Sequence, residues 1–354
     1  MKPPRQYEPR SPYDPEDREE DDLWFLPGDP EDMAPTDPPW PMAERSAPSD
    51  RDWQKAEAAC GRALAAAVAA FVRYDERLRL NPGAEQRIAL MAASGALEAQ
   101  GDWVATEKIA LYAALREGAV AQARELSLAD WAQRRMLGRL DPLDDLNAYL
   151  GRHSSDHDGF MEFDLFDEPA RGQEFAETGG VWIRQQRALA DAHPFTQAAA
   201  GFHDWRRLAI SGADNLVDPI VVSAAIAAKA GRYARSVPAS LGPRQNLLAA
   251  GDARARLDGW LQAVTEGCIR AVLELDRVER WHQKALAETG DLSGKTPPLI
   301  IATLLGQGIT STDMLAEATG ASKAGIRRNM AAFERRGLVR EVTGQGRYRF
   351  WTIR

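Results

Sequence analysis

Positive charge gathered on one short segment is the most legible chemistry in this chain. Lys323, Arg327 and Arg328 fall within 322–336, and Gln345 and Arg347 follow in a glycine-flanked stretch. Cationic side chains on one helix and a nearby loop suit the phosphates and base edges of duplex DNA. Metal chemistry has a single candidate run, His153-Ser-Ser-Asp156-His157-Asp158, with Glu162 and Asp164 just beyond it. No cysteine is near, and the surroundings are polar, so the run reads as a solvated loop. Gly179-Gly180 follows no strand and is not a phosphate-binding fingerprint. No Ser-His-Asp or Cys-His constellation can be argued from spacing. The chain is therefore expected to carry no catalytic residue, no metal and no cofactor.

The elements that must position these cations can be read from the last 60 residues. Helical patterns cover 297–305, 311–318 and 322–336, and strand patterns cover 338–342 and 348–353, joined by a tip at 343–346. That order is a winged helix-turn-helix over 295–354. Thr310 and Ser311 can cap its second helix, where Asp313 complements the N-terminal dipole. Gly320 supplies a left-handed turn. Ser322 caps the third helix, on which Ile326, Met330 and Phe333 form an inward stripe. Arg327 and Arg328 then point away from the core, and Lys323 flanks its edge. The early turns of such a helix enter the major groove, so the expected DNA contacts are Ser322, Lys323, Arg327, Arg328, Gln345 and Arg347. The segment carries 10 basic and 4 acidic residues.

Charge elsewhere is opposite. The whole chain of 354 residues has a net charge of −8, and residues 1–50 hold 14 acidic and 5 basic side chains with 12 of the 21 prolines. Such a segment buries too little apolar surface to offset chain entropy and is expected to be disordered. Leu23-Trp24-Phe25-Leu26 interrupts it as an apolar island that would dock on the body or on a partner. The acidic tail either keeps the protein soluble or competes with DNA phosphates for the basic module. No run of about 18 uncharged apolar residues exists, so no membrane span is expected. The N-terminus resembles neither a signal nor a transit peptide. Cys60 and Cys268 give no disulfide framework and fit a reducing cytoplasm.

Between these ends, 51–290 reads as an all-helical domain. Helical periodicity runs from 53 to 80, where Asn81-Pro82-Gly83 stops it, and from 84 to 99, where Gly101 does. Further helices are expected at 104–115, 119–126, 128–137 with Ser127 as cap, 142–150, 181–192, 195–210 and 217–230. The stretch 152–180 reads as an irregular loop. The longest helix, 254–288, carries an apolar stripe that includes Leu257, Trp260, Val264, Ile269, Leu273, Val278 and Trp281. The expected fold is thus mainly α: a helical-bundle body, a C-terminal winged helix-turn-helix and a disordered acidic N-terminal tail.

Residues 314–329, read with Arg336-Gly-Leu-Val-Arg-Glu-Val and the terminal Gly346-Arg-Tyr-Arg-Phe-Trp351, resemble a bacterial family found largely in rhizobia and their relatives. Tyr74-Asp-Glu-Arg-Leu-Arg79 is similar to an early stretch of it. That family couples a helical domain of unknown function to a C-terminal helix-turn-helix, which implies only a DNA-binding protein. Read with the helical body, the chain is expected to be a transcriptional regulator whose body senses a ligand, a partner or a homodimer mate. A fainter resemblance is to Fic-domain proteins, which transfer AMP onto hydroxyl side chains. It rests on Ser94-Gly-Ala-Leu-Glu98 and His193-Pro194-Phe195. The Gly-Asn-Gly-Arg cradle that should follow is replaced by Ala-Ala-Ala-Gly201, so this alternative implies an inactive relative with His193 as a helix-boundary residue.

Overall fold

The computed structural model describes residues 47–115, 122–151, 173–212, 214–343 and 349–354. Residues 1–46 of the acidic tail, the His153–Asp158 run and the tip carrying Gln345 and Arg347 lie outside them, while the end of the expected 1–50 tail is described, with Ser49 capping α1 and Asp50 in its first turn. The described chain is mainly helical. No helix among the described residues is long and apolar enough to cross a membrane.

Helix α1 (Asp50–Ala59) opens with a capping box, in which Ser49 N–H donates to Asp52 at 2.9 Å and the Asp52 amide returns to Ser49 Oγ. The single helix expected over 53–80 is broken at Cys60, and α2 (Gly61–Leu80) follows. Cys60 is buried there, with its thiol toward the Arg254 carbonyl. Then come α3 (Glu85–Gln100), closed by Gly101 at φ 118°, and α4 (Thr106–Leu115). Ser127 does not begin a helix. It lies exposed inside α5 (Ala123–Met136), because Leu126, Ala129 and Asp130 bury one continuous face across it. Burial outweighs the intrinsic preference of Ser for a cap.

After α6 (Leu146–Leu150), α7 spans Gln173–Ala188. The loop expected to reach residue 180 therefore gives way to helix by 173. Phe175 and Trp182 are buried on it, and Gly179 lies against Leu146. Helices α8 (Pro194–Arg207) and α9 (Val217–Ala228) pack against each other and are buried along most of their length, α9 apolar on nearly all sides and α8 enclosing Thr196, Gln197, His203 and Asp204 as well. A turn of 3₁₀ helix (Ala239–Leu241) and the short α10 (Arg244–Leu247) lead to α11 (Ala253–Glu288). At 36 residues, α11 is about 54 Å long. A Cβ on Gly267 would stand 2.2 Å from the Pro238 carbonyl oxygen, so backbone meets backbone there. Ile269 and Leu273 depart from the expected stripe: both are exposed, because the buried line through Val264, Cys268, Val272 and Leu275 lies about 100° from Ile269.

The C-terminal part consists of α12 (Thr296–Gly306), β1 (Thr310–Ser311), α13 (Thr312–Thr319), α14 (Lys323–Arg335), β2 (Val339–Glu341) and β3 (Phe350–Ile353). The sheet is antiparallel in the order β1-β3-β2, with Thr310 opposite Trp351 and Arg340 opposite Thr352. Strand β1 was not expected: Thr310 is in a strand, and Ser311 alone caps α13.

Two cores result. The larger joins α1–α3, α5, α7–α9 and most of α11. The smaller joins Ile300, Leu304, Leu315, Ile326, Met330, Phe333, Val339, Trp351 and Ile353 to Val278, Trp281 and Ala285 of α11. The long helix thus belongs to both.

Candidate nucleic-acid interface

Helix α14 is built as the spacing predicted. Ser322 accepts the Gly325 amide at 3.2 Å and starts it, while Gly320 makes the preceding turn at φ 66°. Ile326, Met330 and Phe333 are buried in the smaller core. Arg327, Arg328 and Arg335 are exposed and have no ion-pair partner among the described residues. Lys323 is exposed too, and its ammonium meets Asp313 of α13 at 2.8 Å. Both groups are solvated, so that pair is weak and a phosphate can compete for the lysine. Asn329 is occupied locally, donating to the Gly325 carbonyl at 2.9 Å.

Among the other basic residues of this part, Arg336, Arg340 and Arg349 are paired, whereas Lys295 and Arg354 are exposed with no ion-pair partner among the described residues. Arg336 forms a fork onto Asp291 at 2.6 and 2.8 Å, lowering the carboxyl pKa through that hydrogen bond and holding the 289–295 link against α14. Arg349 bridges Glu341 and Glu334 and lies over the Trp351 ring at 5.1 Å. Arg340 reaches Glu107 of α4 at 2.6 Å. Sequence could not show the Arg340 pairing, since Glu107 stands 233 residues away. Of the cations of this part without an ion pair among the described residues, Arg327, Arg328 and Arg335 lie on α14, beside Lys323 and the N-cap Ser322. Gln345 and Arg347 fall outside the described residues.

The same part is fastened to the body. The buried Arg87 guanidinium of α3 donates to the carbonyls of Leu304 (2.9 Å), Leu305 (3.0 Å) and Gln307, closing the C-terminus of α12. Burial pushes its pKa down to about 10. A cation at the negative end of a helix dipole is favourable, and the orphan carbonyls gain donors. Gly83 and Gly306 approach so closely that a Cβ on Gly306 would stand 2.9 Å from the Gly83 oxygen. Trp281 of α11 donates to the Leu338 carbonyl at 2.7 Å. A cleft of ≈ 430 Å³ remains along this joint, lined by Arg87, Glu107, Glu274, Arg277, Arg340 and Arg354 among others.

His193 is the N-cap of α8. Its Nδ1 accepts the Phe195 amide at 3.1 Å, and its own N–H donates to Glu57 at 2.9 Å. Burial lowers its pKa, against the pull of Glu57. Residues 194–207 continue directly as helix, with Thr196 to Gly201 buried. Backbone amides spent in a helix cannot cradle a phosphate there. Ser94 donates to the Val104 carbonyl at 2.7 Å, and Glu98 is exposed. Comparison of the chain with protein-family models and with curated proteins found no match.

Proposed function

We propose that residues 295–354 form a winged helix-turn-helix that binds double-stranded DNA, and that the protein is a transcriptional regulator with a helical sensing body. In this reading α13 and α14 are the helix-turn-helix, α14 is the recognition helix, and β2 and β3 flank the wing. The observation that carries it is the division of α14: Ile326, Met330 and Phe333 buried, Arg327 and Arg328 exposed and unpaired among the described residues. A helix held by one apolar stripe and free to offer two guanidinium groups from its early turns suits major-groove docking, since Arg forms bidentate contacts with guanine and phosphate. The bacterial helix-turn-helix family resembled by Arg336–Val342 and Gly346–Trp351 supports the same reading.

The joint with the body gives the regulator its coupling. Arg87, Glu107 and Trp281 each hold the C-terminal part by a separate contact, so a change in the body's packing would be transmitted to its orientation. Recovery of DNA with the tagged full-length protein from its native cells tests the function. Enrichment of discrete promoter sites, lost with Arg327→Ala plus Arg328→Ala, is expected. No enrichment over an untagged control would overturn the reading.

A further inference from the structure

The outer face of α2 has no covering element among the described residues. Arg62, Ala65, Ala66, Ala69, Val72, Arg73 and Glu76 are all exposed. At 100° per residue these seven project within about 60° of the Ala69 direction. Their spacing is the three-and-four repeat of a helix-pairing seam. It is more than a run of small residues, because Val72 is 47% exposed. Next to it, α11 exposes Ile269 at 50% and Leu273 at 60%. The two helices run in the same direction side by side: Cys60 meets the Arg254 carbonyl at one end, and Arg77 pairs with Asp276 at the other. Contiguous exposed apolar patches of this kind are the surfaces that proteins use for association, and α2 and α11 pack directly against each other.

Charge on the seam selects the occupant. Reflected about Ala69, Arg62 falls opposite Glu76, Ala65 opposite Arg73, and Ala66 opposite Val72. A second α2 laid antiparallel, with Ala69 at the dyad, would place each Arg62 against the other copy's Glu76. These ion pairs would lie about 10 Å either side of the dyad. Each Arg73 stem would lie on the other copy's Ala65 methyl, with its head in water. A parallel arrangement would instead oppose Arg62 to Arg62 and Arg73 to Arg73, which like-charge repulsion disfavours. Arg62 has no ion pair among the described residues, and Glu76 has only its exposed neighbour Arg79 at 2.8 Å, an exchangeable partner. Alanines at the centre let two helix backbones approach closely, and the symmetry is that of an isologous two-fold interface. We propose that α2 is a homodimer interface: two copies of this chain pair antiparallel through Ala65, Ala66, Ala69 and Val72, clamped by two Arg62–Glu76 ion pairs, with Ile269 and Leu273 extending the apolar contact. The inference stands apart from the DNA-binding reading.

Sedimentation equilibrium of the full-length protein, with circular dichroism as the folding control, tests it. Wild type is expected at twice the monomer mass at micromolar concentration. Arg62→Glu alone and Glu76→Arg alone should each raise the dimer dissociation constant at least tenfold. The double variant Arg62→Glu/Glu76→Arg should recover most of the affinity, because the pairs re-form with their signs exchanged. Ala69→Glu should be monomeric with unchanged helix content. A monomeric wild type, or a dimer that none of these variants weakens, overturns the proposal. So does a double variant weaker than either single one.

Discussion

Trp281→Ala tests whether the long helix α11 completes the smaller core. Trp281 is 4% exposed and stands among Val278, Ala285 and the inward faces of α12 and α14. Truncating a buried Trp to Ala costs about 3–5 kcal/mol through lost apolar transfer and the cavity left behind. The indole N–H also donates to the Leu338 carbonyl at 2.7 Å. That carbonyl keeps a second donor, the Arg354 amide at 3.1 Å, so the lost bond adds only about 1 kcal/mol. The expected loss is therefore about 4–6 kcal/mol, comparable with the whole stability of an ordinary domain. Trp281→Phe retains most of the ring and should lose about 1–2 kcal/mol. Arg280→Ala, one residue away on the exposed side, should stay within about 0.5 kcal/mol of wild type. Urea unfolding of the full chain followed by circular dichroism is the assay, since ten tryptophans blur any fluorescence signal. An early transition covering only the C-terminal helices satisfies the expectation as well as a global shift does. A Trp281→Ala protein within about 1 kcal/mol of wild type, with no early transition, would refute the shared core.

Other expectations follow from single contacts. Phe333→Ala should lose about 3–5 kcal/mol and abolish DNA binding, whereas Arg327→Ala should weaken binding at unchanged stability; the opposite pattern in circular dichroism and binding assays would mean that α14 is turned the other way. Arg87→Met should destabilise by roughly 2–4 kcal/mol in urea unfolding, because the carbonyls at the end of α12 lose their buried donors; stability equal to wild type would remove Arg87 from the joint. His203 is buried between Trp53 and Phe202, and desolvation pushes its pKa down to about 3. The unfolded chain, with an ordinary value near 6.5, therefore binds the proton first, and stability should fall as pH drops from about 6.5 toward 3, by up to about 1.4 kcal/mol per pH unit. His203→Phe should flatten that limb relative to wild type; parallel pH profiles would show that His203 protonates freely in the fold.

The helices of this protein were legible wherever one apolar face repeats without interruption. The stripe of α14 and the left-handed stops at Gly101 and Gly320 needed only local rules. The errors came where packing outweighed local preference. Ser127 lies inside a helix whose buried face runs through Leu126, Ala129 and Asp130, and Gly179-Gly180 is helical within α7, which buries Phe175 and Trp182. Ile269 and Leu273 fit the stepping of the stripe but lie to one side of its true axis, which only the position of α2 and the 238–242 segment fixes. The joint was invisible for a different reason. Arg87 finds its acceptors some 217 residues away and Arg340 finds Glu107 at a separation of 233 residues, so no window of sequence contains both partners. Within the candidate interface, Ser322, Arg327 and Arg328 were readable from capping and periodicity, while the Lys323–Asp313 pair depended on how α13 turns into α14.

The proposed function places Arg327 and Arg328 of α14, unpaired among the described residues, against DNA. Affinity for a duplex recovered from the cells, measured with full-length protein across a series of salt concentrations, tests it most directly. Each phosphate-neutralising arginine contributes about 0.9 to the slope of log affinity against log salt. Wild type should show a steep slope. Arg327→Ala/Arg328→Ala should bind more weakly at every salt concentration, with a slope shallower by up to about 1.8 if both contact phosphate. The control Arg336→Ala, whose guanidinium is held by Asp291, should keep the wild-type slope. A double variant that binds with wild-type affinity and slope would contradict the account.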